Sequence, residues 1–166
     1  MVNRFCNENF RLFLPALPLN SSIERVSPND KLKPMTKFEV ATKRKRQVID
    51  ITELCEEKLS ELKNRSGVCH LFVLHTTAAL TIADLDPGTD LDLLDALDAA
   101  IPKLKYRHPH DPSHVSDHIL SSLIGTSLSV PVDDGELLLG TWQRIILLEF
   151  DGPRRRQIAL SFVSEI

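Results

Sequence analysis

The sequence predicts an α+β fold: a single domain with a large mostly antiparallel or mixed β-sheet or sandwich and about three helices. Three observations lead there. About seven segments either alternate apolar and polar residues or run β-branched between turn residues, as strands do. Three longer segments carry apolar residues at helical intervals. The two kinds do not alternate regularly, which argues against a doubly wound or barrel arrangement.

The elements follow in order. Residues 1–30 read as an N-terminal extension and 31–166 as the domain. In the extension, Phe10–Leu19 is apolar but broken by Pro15 and Pro18, which is too short and interrupted for a signal segment. It reads as a segment that docks on the domain or a neighbouring subunit, with a targeting peptide as the alternative. Phe38–Thr42 alternates as a strand should, and Lys43-Arg-Lys-Arg46 follows it. That run reads as a solvated hairpin turn rather than a nucleic-acid patch. Val48–Ile51 is a strand end, and Asp50 or Thr52 caps a helix through Leu54, Leu59 and Leu62. Gly67–His75 is a strong strand that resumes at Thr76–Ile82 after a bend. Asp84 and Asp86 precede a Pro-Gly turn, and a helix begins at Thr89 or Asp90 with Leu91, Leu94, Leu97, Asp98 and Ile101 as its stripe.

Next comes the densest chemistry in the chain. His108, His110, His114 and His118 fall within a dozen residues, with Asp111 and Asp117 among them. Imidazole ligates borderline metals and exchanges protons near neutral pH. Pro109 and Pro112 make 106–112 a loop, and Ser113 can cap a helix through Val115, Ile119 and Leu123 ending at Gly125. On it His114 and His118 lie one turn apart on one face, with His110 just before. Spacing alone therefore draws a metal site from His110, His114 and His118, beside the plainer reading of a polar helix start. The chain ends in strands: Thr126–Val132, a turn at Asp133-Asp-Gly135, Glu136–Leu139, Arg144–Phe150 and Gln157–Val163. Gly140-Thr-Trp-Gln143 reads as a bulge or a close approach to a ligand. Of Arg154, Arg155 and Arg156, alternation lets one or two face a single anion.

Composition narrows the classes. At 166 residues, 42% hydrophobic and 26% charged, the chain has room for one core, and a net charge of −3 exerts no general pull on nucleic acid or anionic membrane. No run of about 18 apolar residues spans a bilayer. Cys6, Cys55 and Cys69 are odd in number and widely spaced, which points to a reducing, cytoplasmic setting. Cys55 and Cys69 read as buried structural thiols. Glycine-rich phosphate loops, nucleophile elbows and CxxC clusters are absent from the sequence.

Several ordered motifs carry a resemblance: His75-Thr-Thr-Ala-Ala-Leu-Thr-Ile82, Asp86-Pro, Tyr106-Arg-His108, His118-Ile with Ser121-Ser-Leu, and Gly140-Thr-Trp-Gln143 leading to Glu149-Phe-Asp-Gly-Pro-Arg154. Together, from about Phe38 to Val163, they resemble the YjbQ-type family, often labelled secondary thiamine-phosphate synthase enzymes. The resemblance implies a compact α+β domain assembled as a cytosolic homotrimer. It implies that His75, His108 and His118 form a metal-binding or catalytic cluster, which moves His110 and His114 to second rank. It further implies that Gln143, Trp142, Arg154 and Thr76 belong to the same pocket. Where the family commonly has Asn-Glu-Asn, this chain has Ala83-Asp-Leu85, leaving Asp84 as the segment's one polar residue.

The implied reaction joins a pyrimidine-methyl diphosphate to a thiazole phosphate and releases pyrophosphate. It needs magnesium and cations for the leaving diphosphate, which Asp84, Asp86, Arg154 and Arg156 are placed in sequence to supply. Three neutral imidazoles instead match zinc, water activation and a metal-dependent hydrolase of an unidentified substrate, with a small phosphorylated molecule as a candidate ligand. A metal-binding or structural trimer without turnover is the third reading.

Overall fold

A computed structural model describes residues 35–62, 66–108 and 112–164. The extension 1–30, His110 and Asp111 lie outside the described residues. Eight strands and three helices follow in the order β1 Thr36–Ala41, β2 Gln47–Asp50, α1 Thr52–Ser60, β3 Gly67–Val73, β4 Ala78–Ala83, α2 Thr89–Ala100, α3 Val115–Ile124, β5 Ser127–Asp133, β6 Glu136–Leu137, β7 Arg144–Glu149 and β8 Arg155–Ser164. A 3-10 turn, Pro112–His114, leads into α3. The strands form a five-stranded sheet, β1-β8-β3-β5-β6, and a three-stranded sheet, β2-β7-β4, with every pair antiparallel. The expected α+β class is what the chain adopts.

Alternation in the sequence explains the layers. In β3, Cys69, Leu71 and Val73 are buried while Val68 and Phe72 face outward. The buried set meets Ile158 and Leu160 of β8, Ile145 and Leu147 of β7, Leu80 of β4, and Cys55 and Leu59 of α1 in one core. β7 is apolar on both faces, since Ile145 to Leu148 are all buried. Its other face, Ile146 and Leu148, joins Phe150, Ala79 and Leu120 in a second core with Leu93, Leu97 and Ile101 of the α2 segment. The order is thus five-stranded sheet, three-stranded sheet, then α2 and α3. Each fully buried leucine or isoleucine contributes about 1.5–3 kcal/mol by removal from water.

Three local expectations shift. The bend expected after His75 is a change of sheet, because β3 belongs to one sheet and β4 to the other. The α2 stripe is Leu93, Leu97 and Ile101, while Leu91 stays exposed; starting at Thr89 turns the i, i+4 series from 93 toward the sheet. Thr52 does not cap α1 through its side chain. Asp50 Oδ1 accepts the Thr52 amide at 2.9 Å, and Thr52 Oγ1 accepts the Ile145 amide at 2.9 Å, tying α1 to β7. The β5–β6 turn is as expected, with Asp134 (φ 47°) and Gly135 (φ 89°) in the left-handed region a tight hairpin needs.

Candidate functional site

The sheet change brings the chemistry together. Between β3 and β4 the chain runs through His75, Thr76 and Thr77, and these line one cavity of about 660 Å³. Into the same cavity project His108 from the segment after α2, His114 and His118 from the start of α3, and Asp151, Pro153 and Arg154 from the turn after β7. The His108 and His118 rings are stacked, 5.7 Å between centroids and 19° between planes. His114 stands 6.3 Å from His108 and 6.5 Å from His118. The family-derived set and His114, drawn from spacing alone, therefore occupy one site.

Hydrogen bonds fix two of the rings. His118 Nδ1 lies 3.0 Å from the Thr76 carbonyl oxygen, which can only accept, so Nδ1 carries the proton and Nε2 the lone pair. Thr76 thus serves the site through its backbone. His75 reaches the same tautomer by accepting: its Nε2 takes the Gln157 amide at 3.0 Å, so the neutral ring keeps its proton on Nδ1. Burial lowers the His75 pKa below its ordinary value, with the Arg156 and Arg154 charges adding and Glu149 opposing.

The wall behind these rings is a buried ion pair. Arg156 and Glu149 are both almost fully buried; Arg156 Nε donates to Glu149 Oε2 at 2.6 Å and its Nη2 to Glu149 Oε1. Thr42 donates to Glu149 at 3.0 Å, Thr77 Oγ1 accepts from Arg156 at 2.9 Å, and the Asp151 amide donates to Glu149 Oε1 at 2.8 Å. This network holds the Asp151–Arg154 turn, in which a cis peptide joins Gly152 to Pro153. The Gly152 amide donates to the Lys45 carbonyl at 3.0 Å, and a Cβ on Gly152 would sit 2.2 Å from the Arg44 carbonyl. Arg154 is clamped by Asp151, Nε to the carbonyl at 2.7 Å and Nη2 to Oδ2 at 2.6 Å, which orients its guanidinium at the cavity wall. Arg155 also borders the cavity, and its guanidinium pairs with Glu39 at 3.3 Å.

Arg46 was hidden in a run that reads as solvated. It pairs with Asp117 at 2.8 Å and Asp98 at 3.0 Å and lies over the Phe150 ring at 5.5 Å. Sequence reading also left Asp151, Glu149 and Asp117 without roles; a turn acid and a strand acid carry no spacing signal of their own. A second cavity, about 640 Å³, lies against Arg46, Ile101, Tyr106 and Ser116, with no histidine among the described residues that line it.

Part of the expected site is not brought together. Trp142 and Asp84 share a separate depression of about 150 Å³ with Asp86 and Arg144, and Gln143 turns its side chain back to accept the Gly140 amide at 2.7 Å. None of the three lines the histidine cavity. The reason is strand polarity. Gln143 precedes β7 and Asp151 follows it, and six residues of strand separate the two ends by roughly 20 Å. Asp84 follows β4, whose Ala83 pairs with Arg144 at that same far end. The proposed triad of metal ligands also changes. His118 offers Nε2 as a ligand while its Nδ1–H donates to the Thr76 carbonyl, the outer hydrogen bond that a ligating histidine usually makes. His75 does not fit, because its Nε2 lone pair is taken by Gln157 and its other nitrogen is protonated.

This geometry belongs to a known family. The description UPF0047 protein YjbQ-like matches residues 36–165, and the chain belongs to that family. It is 36% identical over 135 residues to UPF0047 protein MJ1081 of Methanocaldococcus jannaschii, covering 81% of this chain and 97% of that one. It is 38% identical over 120 residues to UPF0047 protein YugU of Bacillus subtilis, covering 72% and 91%. The crystal structure of the hypothetical protein APE1520 from Aeropyrum pernix superposes with a TM-score of 0.74 at 34% identity, over 80% of this chain and 99% of that one. Among the described residues no helix is long and apolar enough to cross a membrane.

Proposed function

We propose that the chain is a hydrolase of small phosphorylated molecules, working in the histidine cavity. The observation that carries this reading is the His118–Thr76 hydrogen bond in a cavity that also holds Arg154. A neutral imidazole with Nε2 unprotonated takes a proton from water, and a clamped guanidinium matches phosphoryl oxygens. Water attacks phosphorus, the phosphorus–oxygen bond to the leaving group breaks, and His118 Nε2 receives the water proton. Arg154 and the Nδ1–H of His75 stabilise the charge on the phosphoryl oxygens. His108, stacked on His118, restricts that ring and supplies a second imidazole for the leaving oxygen.

The synthase reading has weaker support. The carboxylates it needs for magnesium, Asp84 and Asp86, stand in the Trp142 depression rather than beside Arg154. The homotrimer follows from resemblance, and the exposed Val68, Phe72 and Val163 on one face of the five-stranded sheet are consistent with self-association; light scattering on the purified protein decides it. The function itself is tested by product. Release of inorganic phosphate from a panel of phosphate monoesters supports the hydrolase. Release of pyrophosphate from the two thiamine precursors, without monoester hydrolysis, replaces it with the synthase.

A further inference from the structure

We propose that His114, Asp117 and Asp151 form a binding site for one first-row divalent cation, distinct from the His108–His118 pair. It does not rest on the hydrolase reading. One ring nitrogen of His114 and one carboxylate oxygen each of Asp117 and Asp151 lie within 4.8 Å of one another. A metal–ligand bond of about 2.0–2.2 Å needs only a modest closing of that triangle.

Asp117 supplies the independent observation. Its side chain is 2% exposed, on the first turn of α3. Oδ1 accepts from Arg46 Nη2 at 2.8 Å and from Ser116 Oγ at 3.3 Å, whereas Oδ2 is buried with no hydrogen-bond partner among the described residues. A buried carboxylate oxygen in that state costs about 1–3 kcal/mol or more, and Arg46 Nη1 beside it is likewise buried and unsatisfied; a bound ion is one of the few things that relieves such an oxygen. With Oδ1 bonded to Arg46, Oδ2 is the oxygen the cation would take. Burial raises the Asp117 pKa above its ordinary value and the nearby Asp151 charge adds to this, against Arg46, Ser116 and Lys45. A cation between the two carboxylates relieves that repulsion.

Two further features fit a metal centre. His114 and Asp151 line the open cavity, which gives an ion a way in, with Asp117 the buried ligand behind them. Each carboxylate is held by an outer partner, Asp117 by Arg46 and Asp151 by Arg154, as ligating carboxylates commonly are. These guanidiniums each occupy one oxygen and oppose a dication, so affinity in roughly the micromolar range is expected. One nitrogen and two oxygens suit manganese, cobalt or zinc better than calcium, which takes oxygen throughout.

The test is manganese binding to the metal-stripped full-length protein, followed by electron paramagnetic resonance. One ion per chain is expected, with coupling to the nitrogen of a single imidazole. His114→Ala and Asp151→Asn are each expected to weaken binding at least 10-fold, and His118→Ala to leave it unchanged. No ion bound to the wild-type protein overturns the proposal. So does binding that survives both substitutions, or binding lost in His108→Ala and His118→Ala but kept in His114→Ala. Asp117→Asn adds a third arm where its melting curve shows that it folds. Because the readout is the bound ion, absence of phosphatase turnover leaves this result standing, and turnover without the ion leaves the hydrolase standing.

Discussion

His118 and Thr76 are joined by a hydrogen bond of 3.0 Å from the ring Nδ1 to a backbone carbonyl across the site. The bond links α3 to the sheet crossover and selects one tautomer. Long-range nitrogen–proton correlation spectra are expected to show His118 protonated at Nδ1 and His75 also at Nδ1, for opposite reasons. A His118 ring protonated at Nε2 near pH 7.5 contradicts its assignment as base.

His75 gives a pH dependence. Its folded pKa is below the unfolded value of about 6.5, so between the two the unfolded state binds more protons. Stability from this group is present above the unfolded value and is lost as pH falls through the folded one. Imidazole titration by nuclear magnetic resonance is expected to place its midpoint below that of an ordinary histidine. His75→Asn should flatten the decline in stability on acidification over this window. A midpoint at or above 6.5 refutes the assignment.

The buried Glu149–Arg156 pair is expected to dominate local stability. Glu149→Gln leaves a buried guanidinium with its charge uncompensated and should cost about 3–5 kcal/mol in chemical denaturation. Thr42→Val removes one hydrogen bond to the pair and should cost about 1 kcal/mol. Equal losses for the two substitutions contradict the hierarchy.

Gly152→Ala is expected to destabilise by about 1–3 kcal/mol, because its Cβ meets the Arg44 carbonyl, Thr42 Oγ1 and Glu149 Cγ at once. The turn then moves and takes Arg154 with it. Affinity for inorganic phosphate should fall with stability, measured by calorimetry and melting. An unchanged phosphate affinity separates the turn from the site.

Cys55 and Cys69 are expected to be inert thiols in the folded protein. Burial raises both pKa values, that of Cys69 to about 11. In a Cys6→Ser background at pH 8, a disulfide reagent should label neither until denaturant is added. As pH rises from the unfolded value of about 8.5 toward 11, the folded state holds the Cys69 proton more tightly, so stability falls. Rapid labelling of the folded protein contradicts this.

Much of the fold was legible because burial follows period. Alternation in Gly67–Val73 and the apolar run of β7 mark strands, and Gly125 and Asp134-Gly135 mark ends and turns. The pairing of β3 with one sheet and β4 with the other was not legible, since a sheet change at His75 looks like any bend. For the site, histidine density and family motifs led to His75, His108 and His118. Trp142, Gln143 and Asp84 do not line the histidine cavity, and sequence order conceals which end of β7 such a residue occupies. The roles of Arg46, Glu149 and Asp151 were not legible for a related reason, although the last two stand in a family motif: each acquires its role from a partner that tertiary contact alone supplies.

The most direct test of the histidine cavity as a phosphoryl-hydrolysing site is kcat/KM for the best phosphate monoester, in wild-type protein and in His118→Ala. A loss of roughly 100-fold or more with the melting temperature preserved is the expected result. Turnover equal to wild type in the folded variant, or no monoester turned over by the wild-type protein, contradicts it.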